Sequence, residues 1–213
     1  MIISPGRKYI FVHIPKTGGT SLSLALEARA MADDILIGDT PKAVKRRGRV
    51  KALQDRAPGR LWKHSGLRDI DGLFDPSAFR VVTLVRNPWD RLVSYYHWLR
   101  EQSFDHRAVA AAKAMPFDAF LTDPVQSQSI AANPFESYVK DRAGRVRCDH
   151  FIRLEALSED LRPFEEDLGF RLAVEHVNRS DRDADYRSYY DAALRDHVSQ
   201  IARADIERFG YQF

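Results

Sequence analysis

The chain has 213 residues, with 33 Lys+Arg against 30 Asp+Glu, and a formal net charge of +3 is too slight by itself to define a polyanion-binding protein. Hydrophobic residues make up 44% and charged residues 30%, which suits one α/β domain over 1–213, and no apolar run approaches the ~18 residues of a membrane span. The single cysteine, Cys148, excludes an internal disulfide, and MIISPGRKYIFVHIP lacks the charged segment, long apolar core and cleavage site of a secretion signal, so a cytoplasmic location is expected.

From Tyr9 to Ile14 the residues are β-branched or aromatic apart from His13, a run too short for a buried helix, which predicts a central strand ending at Pro15. Gly18 and Gly19 permit a tight turn, Thr20 and Ser21 are good helix openers, and Leu22, Ala25, Leu26 and Ala30 follow at helical spacing. A strand, a glycine turn and a helix in that order aim free N–H groups and the positive end of the helix dipole at one point, an anion site. Lys16 adds a full positive charge, and Thr20 and Ser21 add hydroxyl donors suited to a phosphate or a sulfate. An ordinary connection with an exposed lysine would be spelled the same way. The pattern is not the nucleoside-triphosphate loop GxxxxGK[ST], because Lys16 precedes the glycines.

Ile35 to Ile37 is a brief strand or a turn ending at Gly38. Between Lys42 and Lys63 nine Lys/Arg face one acid, Asp55; Val44, Val50 and Leu53 give this stretch only weak helical spacing, and it reads as a solvated face or as an attractor for an anionic ligand. Leu61 to Gly66 reads as a strand end passing into a loop that carries His64. Val81 to Val85, apolar on both faces except Thr83, suits the middle of a parallel sheet. Asn87 then caps a helix with Pro88 at its first position and Asp90 in its first turn, and Trp89, Leu92, Val93, Tyr96 and Leu99 form its core stripe, which leaves Arg91 and Ser94 on another arc. Ser94 lies about 10 Å along that helix from Asn87. Arg86, at the carboxyl end of a core strand, stands where side chains of open parallel sheets point into the ligand crevice; a surface ion pair is the simpler alternative.

Helices are expected at Ala108–Met115 and Phe117–Leu121, with Pro116, Pro124 and Pro134 punctuating the rest of this stretch. Asp149–Leu154 reads as a strand flanked by an Arg153–Glu155 ion pair, Ser158 as the cap of a helix closed by Gly169, and Asp191 as the cap of a last helix with Leu194, Val198 and Ile201 as its stripe. No Cys/His cluster has metal-ligand spacing, so no metal is expected.

Two stretches, HIPKTGGTS from His13 to Ser21 and FRVVTLVRNPWDRLVSYY from Phe79 to Tyr96, resemble sulfotransferases that use 3′-phosphoadenosine 5′-phosphosulfate (PAPS), in the branch that includes carbohydrate sulfotransferases. The resemblance implies a three-layer α/β sandwich with a mostly parallel sheet flanked by helices, of the P-loop nucleotide-binding type. It also implies PAPS as co-substrate, with Lys16, Thr17, Gly18, Gly19, Thr20 and Ser21 on the 5′-phosphosulfate and Arg86 and Ser94 on the 3′-phosphate. Lys16 would be catalytic and His64 the candidate base toward a small-molecule or carbohydrate acceptor, with no nucleic-acid partner and no membrane insertion. Arg179 or Ser180 would return toward the nucleotide. Three alternatives stay open: an ATP/Mg-dependent kinase-like enzyme, which predicts a metal-binding carboxylate where Arg86 stands; a basic nucleic-acid module built on Lys42–Lys63; and a relative that binds PAPS without transferring from it. Oligomeric state is not legible.

Overall fold

The computed structural model describes residues 1–175 and 182–213. The chain forms two compact units, Met1–Val85 with Phe135–Val177, and Arg86–Pro134 with Asn178–Phe213.

The first unit holds a five-stranded sheet of β1 (Ile2–Ser4), β2 (Tyr9–Val12), β3 (Ile35–Leu36), β4 (Arg80–Val85) and β5 (His150–Arg153), in the order β3-β1-β2-β4-β5. β2 pairs with β4 and β4 with β5 in parallel, whereas β1 runs antiparallel to both β2 and β3. Four strands therefore point one way and only β1 opposes them, so the sheet is mixed, with a parallel core. β1 was not expected: three residues precede the Pro5-Gly6 turn that closes a hairpin onto β2, and Lys8 completes the turn at φ +57°.

Alternation along the strands builds a core on each face of the sheet. Tyr9, Phe11, Val82, Leu84 and Ile152 face Leu22 and Leu26 of α1 (Gly19–Ala28), together with Leu161 and Phe164 around α9 (Arg162–Leu168). Ile3, Ile10, Val12 and Val81 face Leu67, Ile70 and Val139, with Val50 and Leu53 of α2 (Pro41–Gln54) packed against them. Three layers result. Within the sheet, the Thr83 hydroxyl donates to the Val12 carbonyl at 2.7 Å, which accounts for the one polar residue in an otherwise apolar strand.

α2 runs for 14 residues through the basic stretch, which is far more helix than its apolar spacing promised. Its start explains this. Thr40 accepts from the Ala43 amide, Pro41 occupies the first position, and the Thr40 hydroxyl also donates to the buried Glu27 carboxylate of α1 at 2.7 and 2.8 Å. Burial pushes the Glu27 carboxyl up, and the Thr40 hydrogen bond works against that shift. Leu61–Gly66 is not a strand end. The Trp62 amide donates to Ser65 Oγ and the Ser65 amide to the Trp62 carbonyl, both at 2.9 Å, so a closed turn consumes the groups a sheet would need. This unit also holds α7 (Phe135–Tyr138), α8 (Leu157–Asp160) and short 3-10 turns at Leu67–Ile70, Pro76–Ala78 and Leu154–Ala156; Leu161 separates α8 from α9, and Arg153 pairs with Asp160 at 2.7 Å.

The second unit is helical, with α3 (Pro88–Arg100), α4 (Arg107–Ala114), α5 (Phe117–Thr122), α6 (Pro124–Ala132), α10 (Ala192–Ile201) and α11 (Arg203–Phe209) around Trp89, Leu92, Val93, Tyr96, Phe120, Leu194 and Val198. Asn87 caps α3 as expected. α6 was missed because Pro124 reads as a breaker, whereas Asp123 caps and Pro124 opens a helix. The last helix breaks at Ala202 into α10 and α11. Arg179 and Ser180 lie outside the described residues.

Thr40→Val should lower unfolding free energy by about 1–3 kcal/mol, since it removes a cap and a donor to a buried carboxylate together. Thr40→Ser should restore most of that loss, as measured by urea denaturation.

Candidate active site

Between β2 and α1 the chain reverses through two left-handed residues, Lys16 at φ +66° and Gly18 at φ +84°. Thr17 between them is fully buried, and its hydroxyl donates to the Ile14 carbonyl at 2.9 Å, so that side chain braces the loop from inside. A side chain at Gly18 would be strained by its φ, and its Cβ would meet Leu154 at 2.7 Å. Gly19 opens α1 under the His13 ring, where an added Cβ would overlap the ring at Cδ2. α1 has no side-chain N-cap and no acid in its first turn. Every other helix of eight or more residues among the described ones is capped by a side chain, namely Thr40, Asn87, His106, Asp123 and Asp191. α1 thus follows a cationic residue, Lys16, two positions before its N-cap Gly18, and has no capping carboxylate.

His64 joins this loop through His13. Its Nδ1 lies 2.8 Å from the His13 carbonyl oxygen, and the two rings meet edge to face at 4.7 Å. A carbonyl can only accept, so Nδ1 carries the proton and the lone pair of the neutral ring sits on Nε2. Burial lowers the His64 pKa to about 4, and Lys63 acts in the same direction against the opposing His13 carbonyl. His13, itself buried, is held well below the usual histidine range by burial and by His64. His13 therefore shapes the loop and His64 is a neutral acceptor at physiological pH. Nothing in the sequence showed that the two histidines would meet across 51 positions.

The second unit carries Arg86 and Ser94. Arg86 sits one residue before the cap of α3 and grips Asp90 through Nε at 2.8 Å and Nη2 at 2.6 Å, with its side chain 14% exposed. Asp90 also receives Arg182 at 2.5 Å, so two guanidinium groups share one carboxylate. Of the two readings of Arg86, the ion pair is present, though half-buried and tripartite. Ser94 is buried two turns along α3. Arg182 was overlooked beside Arg179 and Ser180; the run Arg179-Ser180-Asp181-Arg182 gave no means of choosing between its arginines. Lys16 to Ser21 and His64 are thus gathered in one unit, and Arg86 and Ser94 in the other. Among the described residues no three His, Cys, Asp or Glu side chains come together as metal ligands, and no helix is long and apolar enough to cross a membrane.

A layered α/β unit whose loop opens a helix without a capping side chain or acid is suited to receive an anionic group. A family model described as the sulfotransferase family matches residues 1–212, and the chain belongs to that family. Among solved structures, mouse sulfotransferase SULT7A1 complexed with PAP is similar over 95% of this chain and 88% of its own, at 14% identity and a TM-score of 0.49, too slight a likeness to bear on any residue. No curated protein sequence matches the chain.

Two outcomes follow from the loop. Gly19→Ala should displace the His13 ring, seen as a shift of the His13 and His64 imidazole NMR signals together. Because the His64 pKa falls from 6.5 in the unfolded chain to about 4 in the fold, its contribution to stability is complete above pH 6.5 and is lost as pH drops toward 4. His64→Gln should therefore reduce by one the protons taken up on unfolding in that window, read from thermal unfolding against pH, with the His13 contribution remaining.

Proposed function

We propose that the chain transfers a sulfuryl group from PAPS to a hydroxyl or amine of an acceptor, and that 1–213 works as one sulfotransferase domain. Family membership supports the reaction, and the match to 1–212 runs through both units. The observation that carries the site is the opening of α1, with no side-chain cap or acid and with Lys16 and Gly18 left-handed ahead of it. Such an end suits the 5′-phosphosulfate, whose oxygens take the place of a capping side chain.

As the bond from sulfur to the acceptor oxygen forms, the bond from sulfur to the bridging oxygen breaks and charge grows on the 5′-phosphate. Lys16 and the amides of Gly18 to Thr20 meet that charge, with the Thr20 and Ser21 hydroxyls as further donors. Thr17 contributes through the loop it braces. His64 Nε2 takes the acceptor proton, and the negative charge brought beside it raises its affinity for that proton at the moment it is needed. Arg86 and Ser94 hold the 3′-phosphate, and Asp90 ties Arg182 to the same task. No step calls on a metal. The resemblance supports a carbohydrate hydroxyl as acceptor, and the composition supports a cytoplasmic location.

Calorimetric titration without magnesium should show 3′-phosphoadenosine 5′-phosphate binding well ahead of AMP and ATP, and Arg86→Ala should erase about 10- to 100-fold of that preference. Equal binding of the three nucleotides would count against the proposal. Lys16→Ala should cut turnover by roughly 10²–10³, more than it weakens nucleotide binding.

A further inference from the structure

Beside His64 the first unit contains a cleft of about 340 Å³, lined by residues to which the transfer mechanism gives no task. Its floor is aliphatic, formed by Leu36, Ile37, Ala43, Val50 and Leu61. Trp62 closes one side, 45% exposed, with its ring centroid 5.0 Å from that of His64. A large aromatic side chain left this exposed next to a candidate base is a platform for an apolar face of a ligand.

The polar residues of the cleft are few. Asp39 and Lys63 pair with each other at 2.6 Å, so their charges largely cancel. Arg47 is different. Of the other cations on its helix, Lys42, Arg46 and Arg49 donate to the carbonyl oxygens of Glu27, Met31 and Asp34, and Lys45 and Lys51 do not line the cleft. Arg47 is exposed at the rim and has no carboxylate partner among the described residues. A lone guanidinium above an aliphatic floor matches an acidic group on an apolar body. A sugar acid would also meet Arg47, but its ring hydroxyls would face aliphatic side chains and lose their water without replacement hydrogen bonds.

We infer that this cleft is the acceptor subsite and that the acceptor is an amphiphilic acid, a hydroxylated apolar ring system bearing one carboxylate. The body lies against Leu61 and Trp62, the carboxylate meets Arg47, and the hydroxyl is presented toward His64. This inference rests on the sulfuryl-transfer reading and stands against the sugar acceptor.

Three probes separate the possibilities by calorimetry on protein saturated with 3′-phosphoadenosine 5′-phosphate: 6-hydroxy-2-naphthoate, its methyl ester, and glucuronate. The naphthoate should bind about 10-fold or more tighter than the ester, from one charge-assisted contact, and tighter again than glucuronate. Arg47→Ala should abolish the difference between acid and ester, and Arg47→Lys should recover part of it. Trp62→Ala should weaken acid and ester alike. Both residues are exposed, so nucleotide affinity should be unchanged in all three variants, which shows that they fold. Glucuronate binding as tightly as the naphthoate, or an acid-to-ester ratio indifferent to Arg47→Ala, would overturn the inference. If the wild-type protein does not bind the nucleotide, the transfer reading fails instead, and the same titrations on the nucleotide-free protein still decide the chemistry of the cleft.

Discussion

The reversal between β2 and α1 is the constraint on which the candidate site depends. Holding a residue with a β-carbon, Lys16, in the left-handed region costs about 1–2 kcal/mol, and the fold meets that cost with local burial. Thr17 is sealed against the Ile14 carbonyl, Gly18 tucks beneath Leu154, and Gly19 slides under His13. Each contact removes room for an alternative path. The chain consequently enters α1 so abruptly that no side chain is left in position to cap it, and the feature that makes the helix a poor end by itself makes it a receptive one for an anion.

The N-terminus of α3 solves the same problem the other way. Asn87 accepts from the amides of Trp89 and Asp90, and Asp90 sets a carboxylate in the first turn, so this helix end is already satisfied. Positive charge is instead carried on side chains, Arg86 and Arg182, which Asp90 holds together. Two half-buried guanidiniums without that carboxylate would repel each other in a poorly solvated place. With it, both are oriented around one carboxylate. Backbone amides serve where a charge must be met at close range by a rigid cradle, and arginines where a bidentate grip on a phosphate is wanted.

The local parts of this arrangement were legible in the sequence, and the non-local parts were not. Asn87-Pro88-Trp89-Asp90 states its own cap, first position and first turn, and the stripe from Trp89 to Leu99 needs only the helical period. The glycine loop is likewise written in consecutive residues. Asp123-Pro124 and Thr40-Pro41 say the same thing as Asn87-Pro88, but Pro124 reads as a breaker and the residues after Pro41 have only weak apolar spacing, so neither helix start stands out. β1 escaped because three residues are too few to show alternation. The meeting of His13 with His64, and of Asp90 with Arg182 across 92 positions, is set by tertiary packing to which no short-range pattern refers.

A histidine of low basicity is a suitable partner for the loop. An imidazolium packed against His13 would add positive charge near the loop, yet would have no lone pair with which to take a proton. Burial prevents this by holding His64 neutral across the physiological range, with its tautomer set by the His13 carbonyl. The lone pair on Nε2 is then ready at any working pH, and the weakness of the base matters only until an anion arrives. In the proposed reaction a doubly charged group on the amides of the loop would stabilise the protonated ring through a medium of low dielectric, so that basicity would rise with donor and acceptor in place and fall once the charged product leaves. In the proposed reaction the anion site and the base are therefore one electrostatic unit, and the backbone contact from His13 to His64 is what couples them.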